Sequence, residues 1–411
     1  MTVLATLLER GFVQQCSNEK AVDNLLGGQR VTYYAGFDPT ADSLHVGSLV
    51  PIMAMAHLQQ AGHIPIAIIG GGTTLIGDPS GKTEMRRLMS HEEIERNGVA
   101  ILAQLQRYLR FGEDIGIFIN NAEWLVPLNH IEFLRDIGRY FKVNEMIKLE
   151  GYKQRLDREE GLPFIEFSYQ LLQAYDFLVL FDRHRCLLQV GGNDQWSNIL
   201  AGMNLVRTMR RDVAYGLTFP LITTATGQKM GKTEAGTIWL DAQRTSPYDF
   251  YQYWINTHDD DVARFLPIFT FLPMAEINKL TACRGAELRP AKEALAYEAT
   301  KLAHGELVAQ EARVAAQAAF GGGTDLSSLP TTPLSRAELT AGISVLDLFS
   351  RVGLTSSKGE ARRLIDQKGL TINDEVVELS TLVVDAGLLR DERFILRRGK
   401  KQVHVITICD P

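Results

Sequence analysis

The stretch VTYYAGFDPTADSLHVGSLVPIMAMAHLQQAG (31–62), with the HIPIAIIGG (63–71) that follows it, decides the fold of the first half of the chain. A short apolar run leads into a helical pattern and then into a second apolar run, which predicts a strand, a helix and a parallel strand. Similar apolar runs follow at residues 115–120, 186–190 and 216–223. This alternation predicts an α/β fold with a doubly wound, Rossmann-like parallel sheet.

The rest of the chain divides by its periodicity and composition. Residues 124–182 are mostly helical and amphipathic, which predicts an insertion that packs on the sheet or contacts another subunit. Residues 246–320 continue as helices, whereas GGGTDLSSLPTTPLS (321–335) has the composition of a linker. The predicted domains are an α/β domain over 1–245, a helical domain over 246–320, a linker over 321–342 and a small αβ domain over 343–411.

Composition narrows the possible classes of protein. With 411 residues, 45% of them hydrophobic, the chain is long enough for two or three folded domains. Its net charge of −6 argues against a protein that coats nucleic acid over its whole surface, so any RNA contact should be local. The four cysteines lack CxxC spacing, and no apolar stretch reaches membrane-spanning length. We therefore expect reduced cysteines and a cytoplasmic protein.

His45 and Gly47 stand where the first predicted strand gives way to a helix. Helix N-termini at such strand ends attract phosphate. The pattern predicts that Asp42 or Ser43 caps the helix and that His45 lies in its first turn, beside a phosphate. Gly47 would let a flat base approach the backbone. For an isolated HxG motif, a capped helix with a surface histidine is the more common meaning.

A second motif, KMGKT (229–233), follows the apolar run at 216–223. Its two lysines, in a loop with a glycine, suit closure over a polyphosphate. Taken alone, these five residues are more often a solvated basic turn. The combination of KMGKT with the earlier HVGS, across a region of α/β pattern, is far more specific.

Here the sequence closely resembles the bacterial tyrosyl-tRNA synthetases, a family of class I aminoacyl-tRNA synthetases. DPTADSLHVGSL (38–49) matches the family's HIGH region, and KMGKT matches its KMSKS loop. Other matching segments are YYAGFDP (33–39), LIGDPSGK (75–82), FSYQLLQAYDF (167–177), GGNDQW (191–196) and SRVGLTSSKGEARRLIDQKGLTIND (350–374), the last similar to an S4-type RNA-binding module. The resemblance extends from about Thr32 to the C-terminus.

One helical segment carries a polar face that suits amino-acid recognition. Tyr169, Gln173 and Asp176 stand at i, i+4 and i+7, although the solvent face of an amphipathic helix has the same spacing. The resemblance implies that Tyr169 and Gln173 hold the ammonium group of tyrosine together with Asp78. It also implies that Asp176 and Tyr34 receive the phenol hydroxyl, and two such partners left unpaired would penalise phenylalanine.

The resemblance also implies a nucleotide site. Gly192 and Asp194 would contact the ribose, and Gln195 would meet the carboxyl group of tyrosine. The remaining ATP-binding positions would be Gly36, Asp38 and Gly47, and the groups near the phosphates would be Thr40, His45, Ser48, Lys82, Arg86, Lys229, Lys232 and Thr233. Mg²⁺ would accompany ATP, with no dedicated metal site in the protein.

The implied reaction begins with attack by the tyrosine carboxylate on the α-phosphate of ATP. Tyrosyl-adenylate and pyrophosphate form, and tyrosine is then transferred to the terminal ribose of tRNA(Tyr). Because the carboxylate is already ionised at neutral pH, no general base is required, and positioning and cations should supply the catalysis. The implied partners are therefore L-tyrosine, ATP and tRNA(Tyr), together with a second copy of the chain that contacts the helical insertion.

The S4-like tail should contact RNA through its cations. Between positions 341 and 411 there are eleven Lys or Arg and ten Asp or Glu, so this part is slightly basic within an acidic chain. The expected RNA-binding residues are Lys358, Arg362, Arg363, Lys368, Arg398, Lys400 and Lys401. In the alternative interpretation, these cations only form the solvated face of a small domain and do not contact RNA.

Three positions depart from the common family pattern. Ser48 replaces the second histidine of the HIGH region and is a shorter donor toward the nucleotide. Ala35 stands where many relatives carry a residue that can touch the ribose, so that contact should be absent. Gly231 within KMGKT is a familiar variant.

Three other functions fit parts of the sequence. A tryptophanyl-tRNA synthetase shares the catalytic architecture, but a Tyr34–Asp176 pair facing a hydroxyl and the S4-like tail argue against it. An HxGH nucleotidyltransferase also uses a helix-end histidine on ATP, but it needs neither KMGKT nor an RNA-binding tail. An RNA-binding relative that has lost amino-acid activation is the third alternative, which Ser48 leaves open.

Overall fold

The computed structural model describes residues 2–78, 89–148, 152, 162–233, 236–321, 330–390, 392–399 and 402–409. Its contacts divide the chain into two compact units. The first comprises residues 1–232, 239–241 and 258–291, and the second comprises residues 233–238, 242–257 and 292–411.

The first unit is built on a six-stranded sheet. Its strands are β1 (Gln15–Cys16), β2 (Thr32–Phe37), β3 (Ile64–Ile69), β4 (Ile117–Asn120), β5 (Cys186–Gly192) and β6 (Tyr215–Phe219). They are ordered β1-β6-β5-β2-β3-β4, with β2 to β6 parallel to their neighbours and β1 antiparallel at the edge. The predicted α/β fold with a parallel sheet is confirmed.

Helices cover this sheet and carry the connections between its strands. They span Val3–Glu9, Glu19–Gly28, Leu49–Gln60, Gly71–Thr74, His91–Leu105, Ala122–Leu125, His130–Asp136, Val143–Met146, Phe164–His184, Trp196–Arg210, Asp259–Phe269 and Met274–Leu280. Leu49–Gln60 is buried at every position from Leu49 to Leu58 except Pro51. A helix that is apolar on all sides belongs in the interior, and this one is the first α-helix after β2.

The described residues between Trp124 and Asp182 are mostly helical, as the sequence predicts. Short helices come first, and then the helix Phe164–His184, here called the pocket helix, runs for 21 residues. It ends at Arg185, whose φ of 51° is left-handed and stops the helix. Among the described residues, none of the helices is both long enough and apolar enough to span a membrane.

The second unit contains helices and a small mixed sheet. The helices are Pro247–Ile255, Arg289–His304, which starts within the first unit, Glu306–Gly321, Arg336–Ala341, Val345–Arg351 and Lys358–Asp366. The sheet has the order β12-β11-β14-β15-β9, with β9 at Thr331–Ser335, β11 at Leu370–Ile372, β12 at Glu375–Val376, β14 at Arg393–Arg398 and β15 at Gln402–Cys409. Shorter strands are β7 (Lys232–Thr233), β8 (Gly236–Thr237), β10 (Ile343–Ser344) and β13 (Val383–Val384).

The structure corrects the prediction of an irregular linker as far as residue 342. Thr331–Ser335 is a strand that pairs in parallel with β15, and Leu334 within it is buried. The helix Arg336–Ala341 follows, and Ser335 and Glu338 form a capping box at its start. Residues 331–341 therefore belong to the small αβ region. Their polar, proline-containing sequence obscured a strand whose partner lies some 70 residues further along the chain.

Candidate active site

The residues before the long buried helix differ from the predicted arrangement at one point. His45 is extended, with φ −119° and ψ 167°, and it precedes a 3-10 turn at Val46–Ser48, so the α-helix begins only at Leu49. No side chain caps either helical segment, and the Ser43 hydroxyl instead donates to the Leu44 carbonyl at 2.8 Å. The predicted cap by Asp42 or Ser43 is therefore wrong, and the exposed imidazole of His45 precedes the helix.

Gly47 makes room for two neighbours within the chain itself. A Cβ atom at this position would lie 2.8 Å from His45 Cε1 and 3.1 Å from the carbonyl oxygen of Met230. Real Cβ contacts below 3.0 Å essentially never occur, so a side chain here would displace the imidazole or the loop that carries Met230.

The KMGKT loop lies directly against the HVGS segment. Gly231 has a φ of +80°, and a Cβ atom there would lie 3.2 Å from the amide nitrogen of Gly47. Met230 is buried, and its amide donates to the Ile222 carbonyl at 3.0 Å. Lys229 is exposed beside this contact. The fold thus joins the two motifs that the sequence keeps far apart.

The pocket helix turns its polar face toward a group of carboxylates. The Tyr169 hydroxyl donates to Asp38 Oδ2 at 3.3 Å, and Thr73 donates to Asp38 Oδ1 at 3.1 Å. Burial raises the pKa of Tyr169 well above its usual value, and the charges of Asp38, Asp78 and Asp176 raise this pKa further. Negative charge of this kind suits an ammonium group.

Asp176 is held by two donors at the inner end of this face. Asn121 Nδ2 donates to its Oδ2 at 3.0 Å, and Trp124 Nε1 donates to its Oδ1 at 2.7 Å. Burial raises the pKa of Asp176 to about 7, although both donors act in the opposite direction. The guanidinium of Arg183 lies over the Trp124 ring, 5.3 Å from its centroid.

The phenol of Tyr34 is a buried polar group for which the described residues supply no hydrogen-bond partner. Its hydroxyl forms no hydrogen bond with any described residue, although Tyr34 is only 2% exposed. Burial raises the pKa of this phenol well above its usual value, and the charge of Asp176 adds to the effect. An unpaired hydroxyl beside a carboxylate is a place for a ligand hydroxyl.

A chain of amide groups links Asp78 to the pocket helix. Gln195 Nε2 donates to Asp78 Oδ2 at 2.9 Å, while Asn198 Nδ2 contacts Gln195 Oε1 at 3.2 Å and Gln173 Oε1 at 3.0 Å. The fold therefore brings together Asp78, Gln173 and Gln195, three of the four residues that the resemblance assigns to the ammonium and carboxyl groups. Asn198, which joins them, was not identified from the sequence.

The end of β5 forms the expected glycine-rich corner. The strand ends at Gly192, a 3-10 turn covers Asn193–Gln195, and the helix begins at Trp196. A Cβ atom on Gly192 would lie 2.5 Å from Asp194 Oδ1, so the glycine lets this carboxylate fold back over the strand end.

The other candidate residues differ in their exposure to solvent, and some lie outside the described residues. Thr40 and Gly36 are exposed, Ser48 is half-buried and Ala35 is buried. Lys82 and Arg86 lie outside the described residues, as do the side chains of Lys232 and Thr233.

Sequence reasoning also missed residues around Asp176 and Tyr34. Asn121 and Trp124, which hold Asp176, lie just after β4 and give no sequence signal of their own. Gln189 pairs in register with Tyr34 on the adjacent strand, is 3% exposed, and has an Oε1 atom with no hydrogen-bond partner among the described residues. A glutamine within the apolar run CLLQV was a signal that could have been used.

Comparison with known proteins identifies the family of this chain. The family model described as "tRNA synthetases class I (W and Y)" matches residues 27–321, and "Tyrosine--tRNA ligase SYY-like C-terminal domain" matches residues 326–406. The tyrosine–tRNA ligase of Desulfatibacillum aliphaticivorans is 52% identical over 428 residues, covering 100% of this chain and 99% of the relative. That of Caldanaerobacter subterraneus is 49% identical over 408 residues, covering 99% and 100% respectively.

A solved structure gives the same result. A C-terminally truncated mitochondrial tyrosyl-tRNA synthetase from Aspergillus nidulans has a TM-score of 0.69 at 32% identity, covering 76% of this chain and 92% of that one. The chain belongs to the tyrosine–tRNA ligase family. Its reaction is that of the family, the ATP-dependent activation of tyrosine followed by its transfer to tRNA.

Proposed function

We propose that the pocket between the pocket helix and the ends of β2 and β5 binds L-tyrosine in one orientation. The phenol hydroxyl meets Tyr34 and Asp176, and the ammonium group meets Asp78, Tyr169 and Gln173. The single observation that carries this proposal is the buried Tyr34 hydroxyl, which has no partner among the described residues and lies within the field of Asp176. A hydroxyl on the ligand would satisfy both groups, whereas phenylalanine would satisfy neither.

Gln195 then directs the substrate carboxylate toward the nucleotide. Its amide already donates to Asp78 and accepts from Asn198, so its orientation is fixed before the substrate arrives. The substrate carboxylate is ionised at neutral pH and attacks the α-phosphate without a general base. Pyrophosphate leaves, and the protein's part is to position the reactants and to meet the developing charge.

The groups proposed for ATP include residues of the HVGS segment and of the KMGKT loop, which contact each other through Gly47, Met230 and Gly231. Gly36, Asp38, Gly47, Gly192 and Asp194 are proposed for the nucleoside. Those proposed for the phosphates and catalysis are Thr40, His45, Ser48, Lys82, Arg86, Lys229, Lys232 and Thr233. The apposition of Gly231 and Gly47 supports this set, because it carries Lys229 to the His45 side of the sheet.

Mg²⁺ is proposed to arrive with ATP. In the described ranges, no three His, Cys, Asp or Glu side chains come together as a metal site. We propose that the ion is held mainly by the phosphate oxygens of ATP. Bound in this way, the ion would neutralise charge on the phosphates.

Tyr34→Phe tests the proposed orientation of tyrosine. We expect the wild-type enzyme to exchange labelled pyrophosphate into ATP when L-tyrosine is present but not when tryptophan replaces it. The variant should discriminate against phenylalanine about 2- to 10-fold less well, the range expected for one neutral hydrogen bond. Tyr33→Phe is the matched control, since the Tyr33 hydroxyl donates at 2.5 Å to Met55 away from the pocket. Equal exchange with tryptophan, or unchanged discrimination in Tyr34→Phe, would contradict the proposal.

We propose the domain boundaries that the sequence predicts, with one change. The catalytic domain covers 1–245 with its helical insertion, and the helical domain covers 246–320. The RNA-binding domain is proposed to begin at Thr331, because β9 belongs to its sheet. The junction of the two family models between residues 321 and 326 supports this division. We also propose that the protein acts in the cytoplasm.

Three cations of the tail are proposed as its main RNA contacts. Arg362 and Arg363 on the helix Lys358–Asp366, and Lys368 just after it, are exposed and form no ion pair with a described residue. Other cations of the tail are paired: Arg336 with Glu392, Arg351 with Glu338, Lys358 with Asp347, Arg390 with Glu375, Arg397 with Asp374 and Arg398 with Glu360. Lys358 and Arg398 stay in the proposal as weaker contacts, and Lys400 and Lys401 lie outside the described residues.

The double variant Arg362→Ala/Arg363→Ala should weaken tRNA(Tyr) binding and leave pyrophosphate exchange unchanged. Each lost phosphate contact should reduce the slope of log affinity against log salt by about 0.7 to 0.9. Filter binding over a salt series measures the slope. Arg390→Ala is the control, because Arg390 is exposed but paired with Glu375 at 2.7 Å. A salt slope equal to that of the wild type would remove this helix from the RNA contact.

The insertion is proposed to form the contact of a homodimer. It exposes an unusual number of large apolar side chains: Val126, Ile131, Leu134, Val143, Ile147, Phe164 and Ile165. Ile131 is 71% exposed and Phe164 is 68% exposed. Several such side chains on one insertion indicate an interaction surface, whereas scattered single ones do not.

Ile131→Asp should shift the protein from dimer to monomer at micromolar concentration. A charge buried in an apolar interface without a partner is strongly unfavourable. Sedimentation equilibrium should give about twice 45.8 kDa for the wild type and about 45.8 kDa for the variant. Val99→Asp is the matched control, because Val99 is also 71% exposed but lies on the helix His91–Leu105. A wild-type monomer, or a variant that stays dimeric, would contradict the proposed interface.

A further inference from the structure

Trp239, Leu240 and Asp241, here called the strap, run antiparallel to the segment that carries His45. The Leu240 amide donates to the Leu44 carbonyl at 2.9 Å, and the Asp241 amide donates to the Ser43 hydroxyl at 3.2 Å. His45 and Trp239 form an isolated antiparallel bridge pair. The strap therefore fixes the backbone of His45 from one side.

Gln104 fixes the same segment from the other side. Its Oε1 accepts from the Leu44 amide at 2.8 Å, and its Nε2 donates to the Ser43 hydroxyl at 3.1 Å. Ser43 is thus bound both to the helix His91–Leu105 and to the strap. The backbone beside His45 is therefore held from two sides.

The imidazole is positioned by an aromatic contact and a steric one. The rings of His45 and Trp239 have centroids 6.3 Å apart and an interplanar angle of 67°, which is an edge-to-face arrangement. On the other side, the imidazole lies so close to Gly47 that a Cβ atom there would be 2.8 Å from Cε1. Because His45 is exposed and outside the helix, helical packing does not orient this ring.

We propose that Trp239 is a positioning residue that holds the His45 imidazole toward the phosphates of ATP. This inference rests on the proposed role of His45. The strap follows the KMGKT loop in sequence, and both contact the segment 43–47. The position of His45 and the closure of the KMGKT loop are therefore linked through the segment 43–47.

A double-mutant cycle tests the inference. Single-turnover adenylate formation is measured for the wild type, Trp239→Ala, His45→Ala and the double variant, with tyrosine affinity measured in parallel. An edge-to-face pair is worth about 0.5–1.5 kcal/mol, so Trp239→Ala should slow the reaction about 2- to 12-fold with tyrosine affinity unchanged. In the His45→Ala background the same change should have almost no effect, because the two residues act as one unit.

Two further variants distinguish a positioning role of Trp239 from a general effect of the substitution on the structure. Trp239→Phe keeps an aromatic ring and should recover most of the rate. Phe111→Ala removes another edge-to-face pair, with centroids 6.0 Å apart, and should leave the rate near that of the wild type. Equal slowing by Trp239→Ala with and without His45 would overturn the inference.

The proposed role of His45 can fail separately. A normal rate in His45→Ala would reject that role. The positioning inference would still be tested by the NMR resonance of the His45 ring, assigned by its loss in His45→Ala. This resonance should shift in Trp239→Ala because the indole ring current is removed, and an unshifted resonance would overturn the positioning inference itself.

Discussion

Asp176→Ala is expected to weaken the binding of L-tyrosine about 100- to 1,000-fold while ATP binding stays nearly unchanged. Removing one partner from a buried charged hydrogen bond costs about 2–5 kcal/mol, and here the change also removes the acceptor of Trp124 and one of the two acceptors of Asn121. Calorimetry with each ligand separately measures the two affinities. Asp182→Ala is the control on the same helix, because its ion pair with Arg210 is 37% exposed on both sides and contributes little. Equal losses for both ligands would mean that the site is misassigned or the variant misfolded.

The same carboxyl group should make tyrosine binding dependent on pH. Asn121 and Trp124 both donate to Asp176, and in the proposed complex the hydroxyls of Tyr34 and of the substrate would donate as well, so the ionised form should be the one that binds. With a pKa of about 7, Asp176 becomes ionised as the pH rises, and affinity should therefore increase about tenfold between pH 6 and pH 8. The dependence should disappear in Asp176→Asn. A tyrosine affinity that falls as the pH rises would contradict the prediction that the ionised form of Asp176 is the one that binds.

Gly47→Ala is expected to slow adenylate formation about 100-fold with tyrosine affinity unchanged. The added methyl group would meet His45 Cε1 at 2.8 Å and the Met230 carbonyl at 3.1 Å, so the imidazole or the KMGKT loop must move. Displacing one preorganised donor from a transition state typically costs about 3–4 kcal/mol, and partial displacement somewhat less. Single-turnover kinetics at saturating ATP measures the effect.

Gly28→Ala is the matched control for this change. Gly28 ends the helix Glu19–Gly28, and a Cβ atom there would meet nothing within 4 Å. This variant should fold at least as well as the wild type and react at the same rate. A Gly47→Ala enzyme with the wild-type rate would show that the contact between the two motifs does not support catalysis.

Much of the fold was predictable because hydrophobic periodicity is a local signal. The alternation of apolar runs and helical patterns predicted the parallel sheet, and the spacing of Tyr169, Gln173 and Asp176 placed them on one helix face. The antiparallel edge strand β1 and the strand at Thr331–Ser335 were missed. Both depend on partners far away in the sequence, and neither is distinctive in composition.

The site was less predictable for a related reason. His45 was expected inside a helix, but its backbone is paired with a strap almost 200 residues further along the chain, which keeps it extended. Asn121 and Trp124 act only through Asp176, so their importance appears when the fold brings them together. In the tail, charge clusters could be read from the sequence, but the pairing of Arg398 with Glu360 could not.

The buried side chain of Met230 opposes opening of the KMGKT loop. Lifting the loop from Gly47 would expose this side chain, which is now 5% exposed, at a free-energy cost of about 1.5–3 kcal/mol. A two-state loop with that difference is open in about 0.6–7% of molecules at any moment. Substrates could then enter through thermal opening alone, without a separate trigger, and a more polar residue at this position would increase the open fraction and weaken closure over ATP.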